Sequence, residues 1–115
     1  MRLLKVQNIL IILYHSICLG DLIRPSYGQE LNYIHVVFEW KQKPDATHYQ
    51  LELIELNSNS TCLIDSLKTN LFIDRSNILW NKIYQWRVRA LLHSSEYTDW
   101  TEPSVFITKE SKLHF

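Results

Sequence analysis

Tyr33-Ile34-His35-Val36-Val37-Phe38-Glu39-Trp40 decides the fold, because its residues alternate. Ile34, Val36, Phe38 and Trp40 share one face, and Tyr33, His35, Val37 and Glu39 share the other. That is the period of two expected of a strand buried on one side. In the polar stretch 41–46, Pro44 removes a backbone donor and predicts a loop. The same period returns in Tyr49, Leu51 and Leu53 around Gln50 and Glu52, and closes in Asn57-Ser58-Asn59-Ser60, whose side chains favour turns. Residues 61–67 and 70–74 predict two shorter strands with Lys68 and Thr69 between them. Tyr84, Trp86, Val88 and Ala90 then oppose Gln85, Arg87, Arg89 and Leu91 in a long strand whose polar face is mostly arginine. A polar loop over 93–102 leads past Pro103 into a last β-branched strand at 105–108.

Six or so strands at intervals of roughly 8 to 12 residues, with no sustained helical period after residue 20, predict an all-β antiparallel sandwich. Its core draws on Trp40, Tyr49, Leu51, Tyr84, Trp86 and Val88, held between sheets about 10 Å apart. With 115 residues the chain has room for one domain. Only 2 glycines and 3 prolines exclude collagen-like and linker-like compositions, and 46% hydrophobic content with 21% charge excludes a disordered chain. The 12 basic residues balance 12 acidic ones, so nothing marks a nucleic-acid surface, which would need clustered Lys and Arg to displace counterions.

Arg2 and Lys5 precede an apolar run over 6–19, the charge-then-hydrophobe order of a secretory signal. The run is short of the roughly 20 apolar residues that span a bilayer. We expect a signal peptide at 1–20, a domain at 21–110 and a C-terminal tail at 111–115. Cys18 and Gly20 suit a cut before Asp21, Ser26 and Gly28 suit one before Gln29, and an uncleaved anchor or buried helix is the alternative. Cleavage at Gly20 removes Arg2 and Lys5 but no acid, leaving 12 − 2 = 10 basic against 12 acidic residues, a net charge of −2. It also leaves Cys62 without a disulfide partner. Cys62 lies in an apolar run and is expected to be buried and inert.

The chain over about 22–109 resembles a fibronectin type III domain, an immunoglobulin-like sandwich of about seven strands. Five features carry the resemblance. Leu22-Ile23-Arg24-Pro25-Ser26-Tyr27-Gly28 is similar to the first strand and its turn, which favours the earlier cut. Phe38-x-Trp40 is similar to the second strand with its core tryptophan, and 44–51 to the loop and third strand with their inward tyrosine. Ile78, six residues before Tyr84, has the spacing of the tyrosine corner, in which a phenol hydroxyl bonds back to nearby backbone. Here Trp80-Asn81-Lys82 replaces the usual Pro-Gly. Tyr97-Thr98-Asp99-Trp100-Thr101 resembles the Trp-Ser-x-Trp-Ser box, and the resemblance implies that Arg87 and Arg89 stack between Tyr97 and Trp100 as a stiffening ladder.

Little else suggests chemistry. Histidines at 15, 35, 48, 93 and 114 never fall at paired metal-ligand spacings, and His35 is expected to face solvent. Glu96 and Asp99 share one loop without the cleft that acid-base catalysis requires. No glycine-flanked serine and no phosphate loop is present. Asn59-Ser60-Thr61 is an N-glycosylation acceptor, relevant only in a eukaryotic secretory pathway. The binding candidates are the longest loops, 41–47 and 93–100, with His93, Glu96 and Asp99 in the latter.

The expectation is therefore a monomeric, non-catalytic module, secreted, periplasmic or at the cell surface. It would bind a protein or glycan, or space other domains, with no cofactor, no metal, no nucleic acid and no membrane span after signal cleavage. Two other settings fit the same residues: the amino-terminal domain of a longer exported enzyme, or a fragment of a receptor ectodomain.

Overall fold

The computed structural model describes residues 21–111, so the expected signal peptide over 1–20 and most of the expected tail lie outside the described residues. Eight strands follow in order: β1 (Leu22–Arg24), β2 (Gln29–Leu31), β3 (Val36–Trp40), β4 (Ala46–Glu55), β5 (Ser60–Leu67), β6 (Leu71–Asp74), β7 (Ile83–Leu92) and β8 (Ser104–Thr108). They form a three-stranded sheet in the order β1-β3-β6 and a five-stranded sheet in the order β2-β8-β7-β4-β5. No α-helix occurs among the described residues. The chain is an all-β, immunoglobulin-like sandwich.

The inward faces of β3, β4, β7 and β8 supply the core. Val36, Phe38 and Trp40 of β3 face Tyr84, Trp86, Val88 and Ala90 of β7, with Leu51 and Leu53 of β4 and Phe106 of β8 closing the layer. Phe38 meets Trp86 edge-on at 5.0 Å between ring centroids, and Trp40 meets Tyr49 edge-on at 5.4 Å. Such geometry sets a positive ring edge against a negative ring face. The indole N–H groups of Trp40 and Trp86 are buried without an acceptor among the described residues. Each fills volume at the expense of one unmade hydrogen bond.

Four details differ from the alternation in the sequence. Residues 33–35 continue the pattern but lie outside any strand, because β6 pairs only with Val36, Val37, Phe38 and Glu39. A strand reaches as far as its partner does. The opening stretch is two strands rather than one: β1 pairs with β3 in the small sheet and β2 with β8 in the large one. Between them lie the Arg24-Pro25 cis peptide and Gly28, whose φ of 77° lies in the left-handed region that glycine adopts without strain. The β2–β8 pair is parallel, whereas the other strand pairs among the described residues are antiparallel. Cys62, expected to be buried, is half-buried, because β5 is an edge strand with only β4 beside it.

The corner before β7 is closed by hydrogen bonds. Leu79 N donates to Tyr84 Oη at 2.7 Å, while Ile78 is buried beneath it. Asn81, with φ of 60°, supplies the left-handed residue at this turn. Buried Thr108 accepts from Lys82 N at 3.2 Å and donates to Leu79 O, tying the corner to β8.

Candidate functional site

β7 is ten residues long, but β8 pairs only with Ile83, Tyr84, Gln85 and Trp86. The upper half of this edge would leave its backbone groups unmatched without segment 97–101. Thr98 and Thr101 each close one rung twice. Ala90 N donates to Thr98 Oγ1 at 2.9 Å, and Thr98 N donates to Ala90 O at 2.8 Å. Val88 N donates to Thr101 Oγ1 at 3.1 Å, and Thr101 N donates to Val88 O at 2.9 Å. The threonines stand in for a strand where none runs.

That clamp sets Tyr97 and Trp100 above the outer face of β7, where strand alternation presents Arg87 and Arg89. The Arg87 guanidinium carbon lies 4.5 Å from the Trp100 ring centroid, and that of Arg89 lies 4.6 Å from Trp100 and 4.0 Å from Tyr97. The stack therefore runs Arg87, Trp100, Arg89, Tyr97, cation and ring in turn.

β4 anchors the stack from the other side. Cross-strand register places Glu52 opposite Arg87 and Gln50 opposite Arg89. Arg87 Nε donates to Glu52 Oε1 and Arg89 Nε to Gln50 Oε1, both at 2.7 Å. Gln50 is 7% exposed and uses its amide nitrogen as well, donating to Asp65 Oδ1 at 3.0 Å and Tyr97 Oη at 3.3 Å. It is the hub through which β5, β4, β7 and the 97–101 segment share one polar network.

Beside the stack, at one end of the sandwich, lies a cleft of about 490 Å³. Lys41, Gln42, Lys43 and Pro44 line it from one loop and Thr98, Asp99, Trp100 and Thr101 from the other, with Asp21, Trp40, Tyr49 and the β7 stretch 88–90 also lining it. The two loops named from the sequence converge here, and His93 N donates to Asp45 O at 3.1 Å to join them. The 41–44 segment is fixed at its base: Lys41 N donates to Asp21 O at 2.8 Å and Lys43 N to Tyr49 Oη at 2.9 Å.

Of the residues singled out beforehand, Trp40, Tyr49, Leu51, Ile78, Tyr84, Trp86 and Val88 are all buried. Arg87, Arg89, Tyr97 and Trp100 are brought together in the stack. Asp99 lines the cleft, whereas His93 and Glu96 are exposed and do not. His35 is exposed. Sequence reasoning missed Gln50, Glu52 and Asp65; the signal was the placement of Gln50 and Glu52 on β4 beside the arginines and of Asp65 on β5 beyond it, legible only once register is known. Asn59 is exposed at the β4–β5 turn with φ of 62°. Among the described residues no three of His, Cys, Asp and Glu cluster as a metal-holding group, and no helix is long and apolar enough to cross a membrane.

No family model matches the chain, and no curated protein matches it. Among solved structures it is similar to CopC from Methylosinus trichosporium OB3b, with a TM-score of 0.53 and 10% identity, covering 82% of this chain and 97% of that one. At that identity the likeness shows a shared β-sandwich fold.

Proposed function

We propose that residues 21–110 form an exported, non-catalytic module of the fibronectin type III kind, which binds a protein or glycan ligand at the end of the sandwich where the cleft opens. The observation that carries this reading is the interleaved stack of Arg87, Trp100, Arg89 and Tyr97, anchored by Gln50 and Glu52. A stack of this kind holds the 97–101 segment still, so the loops meeting at residues 45 and 93 present fixed rather than fluctuating groups. Pre-ordered loops on a rigid sheet favour recognition, because little ordering entropy remains to be lost on binding. The resemblance to the Trp-Ser-x-Trp-Ser box supports the family assignment, as do the Leu79–Tyr84 hydrogen bond and the 3 + 5 strand arrangement.

The test is a screen of the purified secreted chain against glycan arrays and extracellular extracts, repeated with two loop replacements. Replacing 41–45 with a Gly/Ser segment should abolish retention of any ligand found. Replacing 57–60, at the β4–β5 turn, should leave it intact. Equal loss with both replacements, or retention with the first, would overturn the assignment of the binding end.

A further inference from the structure

We propose that β5 is an interaction surface for a second copy of this chain, which joins it edge to edge and antiparallel so that two five-stranded sheets become one. The surface lies away from the cleft, with β4 and β7 between, and the proposal stands apart from what the cleft binds.

Four strands end the two sheets, and β5 differs from the other three. β1 and β2 have three residues each and β6 has four, whereas β5 has eight. β4 pairs with one side of it, and no described strand follows on the other. Alternate residues of β5 therefore turn their N–H and C=O groups outward, with no strand partner among the described residues. Such edges are ordinarily guarded by a short length, a lysine, a proline or a bulge. Ser60-Thr61-Cys62-Leu63-Ile64 contains no charge and no proline. Asn59, with φ of 62°, and Ser66, with φ of 58°, turn the chain at either end and leave regular strand between them.

A second copy suits this edge because the edge is its own complement. A two-fold axis normal to the sheets keeps inward residues opposite inward ones, so it must pass through a residue opposed to itself. Cys62 and Ile64 lie opposite the buried Leu53 and Leu51 of β4 and face inward, while Leu63 lies opposite Glu52 and faces out. With the axis at Leu63, that side chain, 52% exposed, covers its own counterpart. Cys62 then lies across from Ile64, and Thr61 across from Asp65. Apolar groups meet at the centre, a hydroxyl meets a carboxylate at each end, and no like charges oppose. The paired stretch is 61–65, which stops just before the left-handed Ser66. An axis at Cys62 or Ile64 would set Leu63 against Thr61 or Asp65, and an axis at Asp65 would oppose two carboxylates. Five residues a side make a small seam, so the dimer forms reversibly and with rising concentration.

The purified chain, kept under reducing conditions so that Cys62 cannot cross-link two molecules, is followed by sedimentation equilibrium from dilute to concentrated solution. Dimer should accumulate with concentration, and hydrogen exchange should slow at amides within 61–65. Leu63→Lys and Leu63→Glu change an exposed side chain and set like charges against each other across the axis. Each should weaken self-association at least about 10-fold, with a melt recorded alongside to confirm folding. An equal mixture of the two variants should recover the dimer, because unlike charges then oppose. A chain that stays monomeric throughout, a dimer indifferent to both substitutions, or a mixture that fails to recover would overturn the proposal. Monomers whose 61–65 amides are protected only by a ligand from the screen would overturn it in favour of a foreign strand.

Discussion

Replacing Thr98 with Val deletes one hydroxyl and keeps the shape of the side chain. In the native structure that oxygen receives Ala90 N–H at 2.9 Å, and Ala90 is 3% exposed, so water cannot readily take its place. The variant leaves a buried donor with no acceptor, which costs about 1–3 kcal/mol rather than the smaller net value of an exchanged hydrogen bond. A domain of this size loses roughly 4–8 °C of melting temperature per kcal/mol, so the fall should be about 4–24 °C. Thr98→Ser keeps the hydroxyl and should lose much less. Thermal melting by circular dichroism gives the size of the effect, and amide hydrogen exchange gives its location: the Ala90 N–H should lose protection while amides of the β4–β5 hairpin keep theirs. Unchanged melting with undiminished Ala90 protection would refute the idea that threonines complete the β7 edge.

Trp100→Ala removes the ring shared by both arginines, at 4.5 and 4.6 Å. Two contacts of about 0.5–1 kcal/mol each put the loss near 1–2 kcal/mol, and a denaturant melt in which Trp100→Phe does no better than Ala would contradict the stacking account. Burial raises the pKa of Tyr84 above the usual 10.0, with smaller contributions in the same direction from Glu55 and Asp74 and an opposing one from the Leu79 hydrogen bond. The fold thus favours the neutral phenol: this stability is fully present below the unfolded value and is lost as pH rises through the raised folded one. Tyrosinate absorbance should show one tyrosine ionising late and together with alkaline unfolding; uniform ionisation of all tyrosines would exclude it. Glu55 has the opposite sign, because hydrogen bonds from the Ser58 side chain and backbone, and then the Lys82 charge, lower its pKa. Its contribution is present above the ordinary glutamate range and is lost as pH falls through the depressed value, so Glu55→Gln should flatten part of the acid limb of a stability–pH curve; an unaltered limb would count against it.

Alternation exposed the inner faces of β3 and β7 directly, because period two depends only on neighbours in the chain. Pairing depends on distant residues and was less legible. Residues 33–35 carry the same pattern as Val36–Trp40 yet find no partner strand, and the opening segment divides between the sheets where a single strand was expected. The stack was foreseeable from Arg87, Arg89, Tyr97 and Trp100 through a family resemblance. Its anchor was not: Gln50 and Glu52 look like ordinary solvent-facing residues of β4 until the register sets them opposite the arginines. Thr108 was similarly silent, since nothing in a β-branched run announces a hydroxyl that reaches across to another turn.

The parallel pairing of β2 with β8 bears on how this molecule withstands being stretched. Gln29, where β2 starts, aligns with Phe106, and Leu31, where β2 stops, aligns with Thr108 at the close of β8. Tension drawn along the polypeptide from both sides reaches these two strands at opposite extremities of their shared seam. The seam is then sheared, so its rungs take the load together, whereas a hairpin pulled from its open side unzips one rung at a time.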